Sequence, residues 1–155
     1  MKWWRLVART RKSRYWKIVH IDDWLDRLEE AATRAGTRDF SIVYRFYSTK
    51  GGPVRYVGRS DNPFSRESGH YYSIGVYGIH ERLGGRVTWV DFMYITGPGR
   101  FRESYEEECR QYHIHEPDLN IIHPAKRYPS WKCPICGKWA VRIFTSGCPM
   151  IEKKS

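Results

Sequence analysis

Residues 41–57 hold two short runs of β-branched and aromatic side chains joined by Lys50-Gly51-Gly52-Pro53, and this hairpin signature sets what the rest of the chain can build. The first run is Ser41 to Ser48 (SIVYRFYS) and the second is Val54 to Val57. Arg86 to Thr96 (RVTWVDFMYIT) is the strongest strand of all, broken by Gly97-Pro98-Gly99. Helical patterns fill the gaps. Trp24, Leu25, Leu28, Ala31, Ala32 and Ala35 repeat at helical spacing, with Asp22 read as the N-cap and Gly36 as the stop. Asp61-Asn62-Pro63 reads as the cap of a helix running through His70, and Val76, Ile79, His80 and Leu83 suggest a short helix before Gly84-Gly85. A last helix is expected from Arg100 to about Ile114, ended by Pro117, and Arg14 to Ile21 reads as a strand. The order predicts an α+β fold: a small, mostly antiparallel three-stranded sheet flanked by helices.

The placement of charge says more than the total of +10. Residues 1–20 carry seven Lys/Arg and no acid, residues 121–155 carry seven against one, and residues 21–120 carry 13 against 16. The chain therefore divides into a basic, aromatic N-terminal extension with its helix (1–38), a central domain (39–122) and a basic, cysteine-containing segment (123–155). Basic ends suit a polyanion, and nucleic acid is the expected partner, DNA first. Arg9, Arg11, Lys12 and Arg14 of the arm, with Lys126, Arg127 and Lys132 of the C-terminal segment, are the candidate contacts. Trp3, Trp4, Tyr15 and Trp16 interleave with the cations as stacking surfaces would. The bland alternative is that basic tails only aid solubility. Hydrophobic residues make up 41%, which argues against global disorder. No apolar run reaches the roughly 18 residues of a membrane span, and the N-terminal apolar stretch is too short for a secretory leader. An intracellular chain is expected, cytoplasmic or nucleoid-associated.

Three groups of residues can carry chemistry. On the 100–114 helix, Phe101, Tyr105, Glu108 and Tyr112 fall within roughly 60° of one another, while Glu106, Glu107 and Arg110 point elsewhere. A carboxylate inside an aromatic stripe needs a cation, a metal or hydrogen bonds; an edge salt bridge is the plain reading and a metal ligand the sharp one. Arg66 and His70 share a helix face, where Arg can grip a phosphate with two parallel bonds and His can move a proton, although surface pairs of this kind are common. Tyr44 and Tyr56 lie across one turn on paired strands, where tyrosines are usually packing residues.

Taken together, these residues resemble the GIY-YIG nuclease family. Its first motif stands here as Ile42-Val43-Tyr44 and its second as Tyr56-Val57-Gly58, twelve residues on by tyrosine. Gly58 through Ser65 then leads to Arg66, the position of the family's arginine. His70 lies where many members have a histidine or tyrosine. Glu108, Pro117 and Asn120 match the Glu…Pro-x-x-Asn ending of the N-terminal nuclease of the excision-repair incision subunit. The likeness covers about residues 41–120 and departs at the first motif, where Ile42 and Val43 replace the usual residues; both are comfortable in a strand. The resemblance implies an endonuclease that hydrolyses DNA phosphodiesters with one Mg²⁺ or Mn²⁺ held by Glu108. Arg66 would hold the scissile phosphate, Tyr44 would help activate water, Tyr56 and His70 would assist, and Asn120 would order the site. A tyrosine near pKa 10 is a weak base at neutral pH, so that role requires neighbouring cations.

Cys133-Pro-Ile-Cys136-Gly resembles one knuckle of a zinc ribbon, and Cys148-Pro149 the start of a second. Ile151 stands where the completing cysteine would be. His123 is one candidate fourth ligand; Cys109 and a histidine of the His113/His115 region are others. A degenerate ribbon with unbound thiols stays open beside a structural Zn²⁺. So does a second function: a catalytically inactive, zinc-containing nucleic-acid-binding module.

Overall fold

The computed structural model describes residues 9–64, 76–127 and 131–137, with Tyr77 and Arg127 described by backbone alone. Strands β1 (Arg11–Lys12), β2 (Val19–His20), β3 (Ser41–Tyr47), β4 (Val54–Ser60) and β5 (Trp89–Thr96) form one sheet. Helix α1 spans Trp24–Ala35, α2 Val76–Arg82 and α3 Arg100–His115, and 3₁₀ turns cover Ile21–Asp23 and Pro124–Arg127. The strand order is β1-β5-β3-β4, with β2 also on β5, and every pairing is antiparallel. No helix among the described residues is long and apolar enough to cross a membrane.

The class expected from the sequence holds, but the sheet has five strands and not three. Both additions come from the arm. Of the expected strand over 14–21 only Val19–His20 forms, against Trp89 and Val90; a second pairing, Arg11–Lys12 against Ile95 and Thr96, lies before it. Between them the arm follows β5 through single bonds, Ser13 N–H to Tyr94 O and Trp16 N–H to Phe92 O, each at 2.8–2.9 Å. Asp22 does not cap α1. It lies inside the 3₁₀ turn, whose first N–H bond is accepted by His20 Nδ1 at 3.1 Å. Gly36 does end α1, in the left-handed region at φ +74.

Strand alternation sorts the core into two faces. Ile42, Tyr44, Phe46, Tyr56, Val90 and Phe92 line one face and pack against α1 through Trp24, Leu28 and Ala31. Trp16 belongs here too, its ring 5.4 Å from Phe92. Val43, Tyr47, Val57, Met93 and Ile95 line the other face, against which α3 is docked by a buried polar network. Arg45 forks onto Asp91, Nε to Oδ1 at 2.9 Å and Nη2 to Oδ2 at 2.6 Å, and donates through Nη1 to Gln111 of α3 at 3.1 Å. The Tyr47 hydroxyl donates to Asp91 at 3.0 Å. The Tyr15 ring lies 3.6 Å from the Arg45 guanidinium carbon, and its hydroxyl donates to Glu107 at 3.2 Å. Burial, followed by the Glu107 charge, pushes the Tyr15 hydroxyl well above its ordinary pKa, so it stays a donor. Tyr15 and Trp16 thus pack on the sheet, one on each face.

Removing Arg45 would leave the Asp91 carboxylate buried without its main cation. Arg45→Ala is expected to lower unfolding stability by about 3 kcal/mol in urea titrations; a midpoint equal to wild type would show that the network does not hold α3.

Candidate functional site

Two constellations come from the residues singled out in the sequence. The first lies at the β4 edge. Tyr44 and Gly58 are direct cross-strand partners, as are Phe46 and Tyr56. The Tyr44 and Tyr56 rings stack 6.4 Å apart at 25°, on the face that carries α1. Tyr44 crosses over Gly58: a Cβ built on Gly58 would come within 2.5 Å of the Tyr44 hydroxyl oxygen. Glycine at 58 is therefore what lets the tyrosine hydroxyl reach the outer strand. On either side of Gly58 the backbone is fixed by polar contacts. The Asn120 carboxamide brackets Val57, accepting from its N–H at 2.8 Å and donating to its carbonyl at 2.9 Å. Arg59 donates from Nη1 to Phe101 O and Ser104 Oγ, both at 2.7 Å, and from Nη2 to Asp61 at 2.8 Å. Asp61 also accepts from Ser41 at 2.7 Å, and its carbonyl accepts from Arg100 at 2.8 Å; the helix it was expected to cap, running through His70, lies largely outside the described residues.

Glu108 lies one turn beyond Ser104 on α3 and is 1% exposed. Tyr105 and Tyr112 of its stripe are buried as well, whereas Phe101 at the helix start is exposed. Ser104 and Gln111 face the sheet, while Tyr105 and Cys109 face the cysteine lobe, so Glu108 lies between the two directions. Because α3 packs on the face opposite Tyr44 and Tyr56, any cleft shared by Glu108 and the tyrosines must open around the β4 edge near Gly58. Arg66 and His70 lie outside the described residues. Two polar atoms near the tyrosines, Tyr56 Oη and His80 Nε2, are buried with no hydrogen-bond partner among the described residues. The His80 ring is 6.3 Å from Phe46, which is itself 6.3 Å from Tyr56. The sequence marked His80 only as a helix residue; a polar group at an apolar helical position was the available signal.

The second constellation is a metal-ligand cluster. His113 of α3, His123, Cys133 and Cys136 bring their ligand atoms within 4.8 Å of one another. His113 Nε2 lies 3.2 Å from His123 Nε2, Cys133 Sγ 3.4 Å from His113 Nε2, and Cys136 Sγ 3.6 Å from His123 Nε2. A tetrahedral Zn²⁺ with ordinary Zn–N and Zn–S bonds separates its ligands by roughly 3.3 Å (N to N) and roughly 3.5 Å (N to S). The set can therefore bind a structural metal such as zinc. His113 and His123 complete it without Cys148, which lies outside the described residues. Cys109 is not a member; its interaction with Cys133, followed by burial, pushes its thiol up. The same interaction, opposed by burial and aided by His113 and His123, pushes Cys133 below the ordinary cysteine range. His123 Nδ1 accepts from Ala125 N–H at 3.0 Å, which leaves the ring proton on Nε2. Coordination through Nε2 would require that proton to leave, and a shift of it to Nδ1 would break the Ala125 bond. His113 was only one of several possible partners on spacing alone, and the docking of α3 is what singles it out.

The candidate cations divide. Arg9, Arg11, Arg14, Lys126 and Lys132 are exposed, Lys12 pairs with Glu103 at 2.7 Å, and the Arg127 side chain lies outside the described atoms. Compared with family models, curated proteins and solved structures, the chain matches none.

Two outcomes follow from these geometries. Purified protein is expected to carry one zinc per chain; His113→Ala should bring the metal content towards zero and Cys148→Ser should leave it unchanged, by elemental analysis, while the reverse pattern would return the fourth position to Cys148. Gly58→Ala should displace Tyr44 and lower stability by about 1–3 kcal/mol, read as a drop in the denaturation midpoint; an unchanged midpoint would mean the ring is not seated over Gly58.

Proposed function

We propose that this protein is a GIY-YIG-type endonuclease that hydrolyses DNA phosphodiesters at the β4 edge, with a zinc-stabilised basic lobe beside the site. The observation that carries the reading is the pair Tyr44 and Tyr56 stacked across β3 and β4, with Gly58 left without a side chain so that the Tyr44 hydroxyl reaches the strand edge. Four further features support it: the buried Glu108, the Asn120 clamp on Val57, the order of these residues in the chain, and exposed cations on the arm and the lobe.

A phosphodiester is an anion with a poor alkoxide leaving group, so cleavage needs charge neutralisation and an oriented water. In this reading Arg66 holds the scissile phosphate through its forked donors. Tyr44 orients the attacking water and accepts its proton as far as nearby cations lower the phenol pKa. Tyr56 and His70 order the same water, and His70 can pass a proton near neutral pH. Asn120 keeps Val57, and with it Gly58, in place. Glu108, 1% exposed, offers a hard divalent ion an oxygen donor of the kind such ions prefer. Mg²⁺ or Mn²⁺ bound there would neutralise phosphate charge, with water filling the rest of its shell.

Supercoiled plasmid incubated with Mg²⁺ tests the reading. Wild type is expected to nick or linearise it, and Glu108→Gln is expected to lose this activity by about 10³-fold or more with an unchanged circular dichroism spectrum. Full cleavage by Glu108→Gln would remove Glu108 from the chemistry. Tight DNA binding by wild type without any cleavage would favour a binding module that keeps the fold.

A further inference from the structure

A cavity of about 470 Å³ opens beside Tyr56, between the end of α2 and the 118–122 segment. Leu83, Leu119, Ile121 and Ile122 make its lining largely apolar, and Arg82 and Arg86 also line it. Leu119 is fixed to the outer side of β4, its N–H donating to Arg55 O at 3.0 Å. Asp118 also lines the cavity, but its carboxylate is held by Arg55 through two bonds of 3.1 and 2.8 Å, so its charge is already answered. Arg86 donates from Nε to Leu83 O at 2.8 Å, and both Arg86 and Arg82 are exposed. Ile121 is 78% exposed. A single exposed isoleucine is ordinary; one that belongs to a largely apolar lining shared with two arginines is part of a surface of mixed character.

We propose that this cavity takes one unstacked DNA nucleotide, its base against Leu119, Ile121 and Ile122 and its phosphate on Arg82 and Arg86. The match is chemical on both halves. A base is flat and apolar on its faces, and a guanidinium fork complements a phosphate. The volume falls in the range of about 300–1,000 Å³ typical of small-ligand sites. Tyr56 links the two places, since it lines the cavity and also stacks on Tyr44. The inference rests on the nuclease reading for its place beside the scissile phosphate, and it names the substrate class: DNA with an unpaired nucleotide next to the cut.

Binding in zinc-replete buffer without Mg²⁺ or Mn²⁺ tests this separately from cleavage. The probes are a duplex with one unpaired 2-aminopurine nucleotide and the same duplex fully paired. Wild type is expected to bind the first about tenfold more tightly, with a change in 2-aminopurine fluorescence. Ile121→Ser is expected to reduce that preference to near unity, and Arg82→Ala with Arg86→Ala to weaken binding to the unpaired probe at least about fivefold. All three are exposed positions, so the fold is retained. Equal affinity of wild type for the two probes, or a preference that survives both variants, overturns the pocket. Cleavage by wild type with no preference for the unpaired duplex would overturn the pocket and leave the nuclease reading standing. A preference without cleavage would support the pocket and remove that reading.

Discussion

The Arg45–Asp91 fork is the contact on which the rest of the arrangement depends. It lies inside the sheet, on adjacent strands β3 and β5, and reaches α3 through Gln111. A buried ion pair of this kind gives little net stability over a well-packed apolar pair, but it has a fixed geometry. Here that geometry sets the rotation of α3. With Gln111 held to Arg45 and Ser104 held to Arg59, the helix cannot turn about its axis, and the positions of Glu108 and His113 follow. One helix therefore serves both constellations, five residues apart. Tyr15 extends the same network to the arm, which explains why so basic a segment is tied to the sheet.

Among the described residues, the cysteine lobe meets α3 in a small cluster: Tyr105, Cys109, Ala125 and Cys133, with Trp131 and Cys136 at its edge. A metal on His113, His123, Cys133 and Cys136 would add to the stability of this junction, because binding free energy at a site absent from the unfolded chain becomes folding free energy. Two of the four ligands lie outside the knuckle, and His113 belongs to α3, so the lobe would be clamped onto the helix that also carries Glu108. Lys126 and Lys132 then stand at a fixed place relative to the central domain, as a docking surface for a polyanion requires.

The sequence was legible where a local rule decides. The hairpin, the strand over Trp89–Thr96, the stop at Gly36 and the long helix all follow from periodicity and turn chemistry, which act over a few residues. It misled where tertiary contact overrides composition. Tyr15 and Trp16 sit among cations as stacking residues would, but alternation sends one to each face of the sheet. Residues 14–21 read as one strand because their side chains have β character, but regular pairing with β5 is confined there to Val19–His20 and resumes before it at Arg11–Lys12. His113 could not be chosen over His115 from spacing alone. Two residues apart on a helix differ by about 200° in direction, and only the docking of α3 decides that His113 meets the knuckle while His115 turns to Gln111.

A purely structural account of the tyrosine pair explains part of what is seen. An aromatic ring laid across a strand glycine covers exposed backbone and needs no function. That accounts for Tyr44 over Gly58, and the Asn120 clamp could be a plain loop anchor. It does not account for Tyr56. A phenol buried at 4% exposure without a hydrogen-bond partner among the described residues costs about 1–3 kcal/mol relative to phenylalanine at the same position. Phe46, its direct cross-strand neighbour, shows that the sheet accepts the apolar ring at that level. In the proposed reading, that hydroxyl meets a water or phosphate oxygen at the β4 edge, beside the Tyr44 hydroxyl.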